Sequence, residues 1–155
     1  MKKINKEGLY STISLAVGFL FLLVGVLGVT VSHVNGDSMD PTLKNGTYMI
    51  GRVAKSLNYG DIVGIKSANA DASYVKRIIG KPGDKIEIKG DKVFRNGKEL
   101  KEDYIKEPMK YNDDQQIILD EDQYWVMGDN RNHSSDSREL GAFHRLEITE
   151  VLFKN

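Results

Sequence analysis

The sequence contains no cysteine, which excludes disulfides, thiolate metal ligands and a cysteine nucleophile together. Histidine is scarce. His33, His133 and His144 are the three in 155 residues, too scattered for a zinc cage, so no metal or other cofactor is expected. Net charge is lacking as well: Lys and Arg number 22, as do Asp and Glu, so no overall basic field points to nucleic acid. Internal repeats and low-complexity tracts are absent. The length suits one domain rather than two.

Charge is missing locally too, and there the absence is informative. Residues 8–32 contain no Asp, Glu, Lys or Arg. As a helix rising about 1.5 Å per residue they would span roughly 37 Å, enough to cross a hydrocarbon core of about 30 Å. A cleaved leader would have a shorter apolar stretch and a better small-residue exit than Val29-Thr30-Val31-Ser32. A buried core helix of this length would need a larger protein around it. Lys2, Lys3 and Lys6 precede the run, so the positive-inside bias keeps residues 1–7 cytoplasmic, makes residues 8–32 a single anchor helix in the plasma membrane, and sends residues 33–155 outward.

Beyond Ser32 the texture changes to short alternating segments broken by Gly, Asn, Asp and Pro, the pattern of a mainly β domain. Strands are expected at residues 47–52, 62–66, 74–79, 85–88, 92–95 and 124–127. Asn96-Gly97 predicts a type I′ hairpin, because both central residues need positive φ. Lys81-Pro82-Gly83-Asp84 reads as a turn. Residues 103–122 are polar and acidic, lack the ligand spacing of a calcium loop, and read as a solvated connection.

Three segments carry candidate chemistry. Ser38 lies in Asn35-Gly36-Asp37-Ser38-Met39-Asp40-Pro41-Thr42-Leu43, which by itself is an ordinary turn. Lys76 interrupts the apolar and aromatic strand Tyr74-Val75-Lys76-Arg77-Ile78-Ile79, sharing a face with Tyr74 and Ile78. Either it snorkels to water or it is buried. At a reference pKa of about 10.4, only about 0.04% of lysine is neutral at pH 7. Burial would favour the neutral amine, which could take the proton of Ser38 during attack on a peptide carbonyl without any histidine. The third segment, from Tyr124-Trp125-Val126-Met127-Gly128 through Asp129-Asn130-Arg131 to Ser134-Ser135-Asp136-Ser137-Arg138, reads as a strand and a dense polar loop.

Together these boxes, with Gly60-Asp61-Ile62-Val63 and Pro82-Gly83-Asp84 between them, resemble the type I signal peptidases, membrane-bound Ser-Lys proteases that remove signal peptides from exported proteins. The resemblance implies an antiparallel β-sheet catalytic domain behind one N-terminal transmembrane helix. It implies Ser38 as nucleophile, Lys76 as general base, Ser134 and Asp136 as residues that orient the lysine, and Asp129, Arg131 and Arg138 as holding the loop by ion pairs. Gly36, Asp37, Met39, Tyr74 and Val75 would meet a substrate lying extended beside the strand that leads into Ser38 and the strand that carries Lys76. It would be read by small residues at the first and third positions before the cut. Partners would be signal peptides of exported preproteins and the lipid bilayer, with no nucleic acid. Oligomeric state is left open. Gly36 stands where many proteobacterial members have a serine that helps bind the oxyanion; in this it is similar to the short Gram-positive type. Phe143-His144 replaces a frequent Val-Pro pair.

Two other readings stand beside this one. A self-cleaving repressor shares such a dyad, but the apolar run and the lack of a helix-turn-helix pattern oppose it. A dedicated or non-catalytic signal-peptidase-like factor for surface-polymer (pilus) assembly is the other, and both dyad residues are present.

Overall fold

A computed structural model of the chain describes residues 28–67, 72–111 and 113–153, with isolated helical positions at 10, 13–15, 17–18 and 25–26. Most of the anchor at residues 8–32 therefore lies outside the described residues. Among the described residues no helix is long and apolar enough to cross a membrane. The far end of the anchor is corrected: Val29–His33 is a strand, β1, so a helix cannot run on to Ser32. Val29, Thr30 and Val31 are β-branched, and an apolar run of this kind is indistinguishable from helix by periodicity alone.

The strands that follow are β2 (Tyr48–Val53), β3 (Ile62–Lys66), β4 (Ser73–Gly80), β5 (Lys85–Lys89), β6 (Lys92–Arg95), β7 (Lys98–Glu99), β8 (Gln115–Ile118) and β9 (Gln123–Met127). A short helix, α1 (Ser137–Leu140), then precedes β10 (Phe143–His144), a 3-10 turn at Arg145–Glu147 and β11 (Ile148–Leu152). They form two antiparallel sheets, one ordered β1-β2-β11-β3-β4-β9-β10 and the other β7-β6-β5-β8. All six expected strands are present. The turn between β6 and β7 has Asn96 at φ 54° and Gly97 at φ 77°, the left-handed pair that a type I′ hairpin requires.

Strand β4 organises the interior. Ile78 packs with Val63, Ile65, Val126 and Val151; Ile79 packs with Ile86, Ile88 and Trp125 between the two sheets; Val75 packs with Val34, Met39 and Leu43 beneath the Ser38 loop. A residue on β4 is thus held from three directions. The strand is only half covered on one side, because pairing with β9 begins at Arg77 opposite Met127. From Tyr74 to Lys76 the backbone edge on that side is left open by β9, and β1 is a terminal strand of the same sheet.

Residues 103–122 are not merely a solvated connection. They contain β8 and the buried Met109 and Leu119.

Candidate active site

Ser38 sits in a tight turn just past β1. The Asp40 amide donates to the Asp37 carbonyl at 3.1 Å and the Leu43 amide to the Met39 carbonyl at 2.9 Å, while Met39 and Leu43 are driven into the core as anchors. The loop after β9 grips this turn from the other side. The Asn130 amide donates to the Ser38 carbonyl at 3.0 Å, and Asn130 Nδ2 donates to the Asp37 carbonyl at 3.1 Å.

Lys76, 4% exposed, reaches across from β4 with Nζ 2.9 Å from Ser38 Oγ and donates to the Val75 carbonyl at 3.0 Å. It lies on the face of Tyr74, whose ring centre is 5.6 Å from Nζ. Burial pulls the Lys76 pKa below the usual lysine value; the Asp136 charge pushes the other way, and the Arg138 charge adds to the lowering. A hydroxyl and an amine poised to be neutral are therefore in hydrogen-bond contact, an arrangement able to move a proton from oxygen to nitrogen. The cleft over them has a volume of about 270 Å3, and its lining includes Gly36, Asp37, Tyr74 and Val75. Met39 is buried beneath it and does not appear on that lining. His133 stands exposed at its rim.

Three guanidinium groups surround the site, and each is forked onto a carboxylate. Arg77 donates from Nε and NH2 to Asp129 at 2.8 and 2.6 Å. Arg131 donates to Glu102 at 2.7 and 2.6 Å, and Arg138 donates to Asp136 at 2.8 Å from both Nε and NH2. Burial is the largest influence on Arg131 and opposes its charge, but the hydrogen bonds and the charge of Glu102, together with weaker contributions that include the Asp136 charge, outweigh it and hold the guanidinium above its usual pKa. Asp136 also accepts from the Gly128 amide at 2.9 Å and the Ser134 hydroxyl at 2.8 Å. Ser134 thus binds Asp136. Gly128 is required by close approach: a Cβ there would collide with Ser134 Oγ and lie 2.5 Å from the Ser38 carbonyl oxygen.

Residues 7–152 match the family model of the signal peptidases, peptidase S26. The chain belongs to that family. The peptidase is 38% identical to Signal peptidase IB of Staphylococcus aureus (strain Mu50), over 93% of this chain and 86% of that protein. It is 42% identical to Signal peptidase I P of Bacillus subtilis subsp. natto, over 76% and 71%. Its fold is similar to the crystal structure of a signal peptidase I from Enterococcus faecalis V583, with TM-score 0.56 and 30% identity, covering 64% of this chain and 98% of that one. The protein is accordingly a serine endopeptidase of mainly antiparallel β fold.

Sequence reasoning expected ion pairs around Asp129, Arg131 and Arg138 but missed two partners, Arg77 and Glu102. Arg77 was visible on β4 one residue past Lys76, on the opposite face. Glu102 carried no local signal, since its guanidinium partner is 29 residues away. Tyr104 was missed as well: its ring centre lies 4.2 Å from the Arg77 guanidinium and 6.0 Å from that of Arg131, and its hydroxyl donates to Glu102 at 2.9 Å. Burial beside the Glu102 charge drives that hydroxyl well above the usual tyrosine pKa. The peptidase thus straps its catalytic-side loop with the segment read as a solvated linker, and Lys106 adds an ion pair to Asp40 at 2.6 Å.

Proposed function

We propose that this peptidase cleaves signal peptides from exported preproteins with a Ser38–Lys76 dyad, cutting after a small residue. The observation that carries the reading is the 2.9 Å contact between Ser38 Oγ and the buried Lys76 amine, in a cleft flanked by open strand edges. Neutral Lys76 takes the hydroxyl proton as Oγ bonds to the scissile carbonyl carbon. The ammonium then returns that proton to the departing amine as the C–N bond breaks. Water adds to the acyl-enzyme, again losing a proton to Lys76, and Ser38 leaves with it. The backbone N–H of Ser38 faces the developing oxyanion, with Gly36 offering no hydroxyl. Ser134 and Asp136 act as positioning residues for the lysine side of the site, and the Arg77–Asp129 and Arg131–Glu102 forks keep the loop in place.

The substrate strand lies beside β1 and β4 and completes their hydrogen bonding by β-augmentation, with Tyr74, Val75, Gly36 and Asp37 around the residue before the cut. Residues 8–28 form the anchor. With β1 starting at Val29, 21 uncharged residues remain, about 31 Å as a helix, still a match to a hydrocarbon core of about 30 Å. The N-terminus stays inside and the cleft opens at the outer surface of the plasma membrane. Both dyad residues are present and touching, so no observation favours the non-catalytic assembly role. In detergent or liposomes, Ser38→Ala and Lys76→Ala should each abolish processing of a secreted precursor. Wild-type processing by either variant refutes the assignment.

A further inference from the structure

Asn130 grips the nucleophile turn twice. Its backbone amide donates to the Ser38 carbonyl at 3.0 Å, and its side-chain Nδ2 donates to the carbonyl one residue earlier, that of Asp37, at 3.1 Å. The Asp37 oxygen also takes the Asp40 amide at 3.1 Å, so two donors fix the direction of that carbonyl. Asn130 is itself held from both sides. Asp129 before it is forked by Arg77, Arg131 after it is forked onto Glu102, and its own carbonyl accepts from the His133 amide at 3.0 Å. The side chain is 1% exposed, yet its Oδ1 has no hydrogen-bond partner among the described residues. A buried acceptor left unpaired opposes folding, so stability alone does not call for an amide at this position.

The carbonyl held by Nδ2 is the far side of the peptide unit that carries the Ser38 N–H. The Asp37–Ser38 peptide is trans and planar, so its C=O and N–H point in opposite directions. Fixing the carbonyl toward Asn130 turns the Ser38 N–H away from Asn130, and that N–H donates to no group among the described residues. It is left for the developing oxyanion. On its N-terminal side the turn starts from Gly36, exposed and at φ 96°, and glycine resists backbone rotation least. We infer that Asn130 is a positioning residue for the oxyanion hole: its side chain clamps the Asp37–Ser38 peptide, so the Ser38 N–H is already aimed when charge develops. A donor fixed beforehand stabilises the transition state without reorganisation, whereas a peptide free to rock must first be brought into line. The inference rests on Ser38 being the nucleophile, as proposed above.

Asn130→Leu matches the shape of the side chain and removes both the donor and the unpaired oxygen, so thermal melting should stay close to that of the wild type. With the full chain in detergent micelles and one signal-peptide substrate, kcat should fall at least about tenfold while KM changes by less than about twofold. A trifluoromethyl ketone built on the same peptide supplies the second readout. Ser38 Oγ adds to its carbonyl carbon, Lys76 takes the hydroxyl proton, and the carbonyl oxygen becomes an oxyanion, so its affinity should fall in parallel with kcat/KM. Affinity for the matching peptide alcohol, which forms no adduct, should not change. Asn130→Ala, which also removes the donor, should behave alike and guards against leucine being too bulky. A kcat within about threefold of wild type in either folded variant overturns the inference, as does a lower kcat with unaltered ketone affinity. Failure of both variants to fold would make the side chain structural and overturns it as well. In each of these cases the peptidase reading stands on wild-type cleavage that Ser38→Ala abolishes. No cleavage by the wild type, or full cleavage by Ser38→Ala, overturns that reading and this inference with it.

Discussion

Adjacent residues of β4 treat their positive charges in opposite ways. Arg77 is forked onto Asp129, as Arg131 is onto Glu102 and Arg138 onto Asp136, so each of these guanidinium groups, half-buried in Arg77 and buried in the other two, keeps a carboxylate within 2.8 Å. Lys76, one residue earlier and on the other face, touches only a hydroxyl and a carbonyl. The difference separates two uses of a buried cation. A planar guanidinium that cannot lose its proton is made safe by bidentate pairing and serves as a bracket. An amine denied a carboxylate contact is left with its desolvation, and desolvation favours the neutral base.

Lys76→Arg breaks the comparison most severely. The new side chain is cationic at any working pH, so precursor cleavage should fall by about 1000-fold or more, as in Lys76→Ala, when processing is followed on gels. Substantial activity with arginine there would mean that no proton acceptor is needed at this position. Cutting a bracket should act on folding instead. Arg131 and Glu102 are 1% and 8% exposed, and Glu102→Gln should lower unfolding free energy by about 3–5 kcal/mol in a denaturant titration, because it leaves a buried guanidinium without its charge partner.

A finer test uses the charges that act on Lys76 from a distance. Arg138 lowers the lysine pKa and Asp136 raises it, so Arg138→Gln should move the alkaline-activated limb of the kcat profile to higher pH. An unmoved limb in a folded variant would dissociate the Arg138 bracket from Lys76. Lys76→Met should raise the melting temperature near neutral pH. The folded lysine has a lowered pKa, so the unfolded chain binds more protons between that value and about 10.4, and wild-type stability rises with pH through this window. The advantage of Met should therefore shrink as pH climbs, and a constant advantage would show that lost packing rather than protonation sets it. The smallest effect belongs to an exposed pair: Lys101 and Asp103 are 86% and 76% exposed, and Asp103→Asn should leave melting unchanged.

The strands were legible where alternation or turn chemistry announced them. Val63 and Lys76 fall in the expected strands and face each other in the β3–β4 ladder, and the Asn96-Gly97 turn has the backbone its residues demand. Strand β1 was concealed because it continues an uncharged run, and Gln115–Ile118 because Gln-Gln-Ile-Ile has no alternation; only pairing with Lys85–Ile88 makes it a strand. That Ser38 and Lys76 would meet could be expected from their neighbours in sequence, and their side chains lie 2.9 Å apart. The brackets could not be paired that way, since which carboxylate meets which guanidinium depends on loops brought together only by the finished fold. Tyr104 looked solvated because a polar stretch that straps a site has the composition of one that straps nothing.

Gly128 has a practical consequence for anyone wishing to reshape this enzyme. With the serine's carbonyl on one flank and the Ser134 hydroxyl on the other, the gap admits a hydrogen atom and no carbon. A saturation library at codon 128 should return glycine alone among active clones, while the rims of the cleft at the exposed positions 133 and 135 remain open to diversification. Retargeting should begin at those rims and leave the spacer untouched.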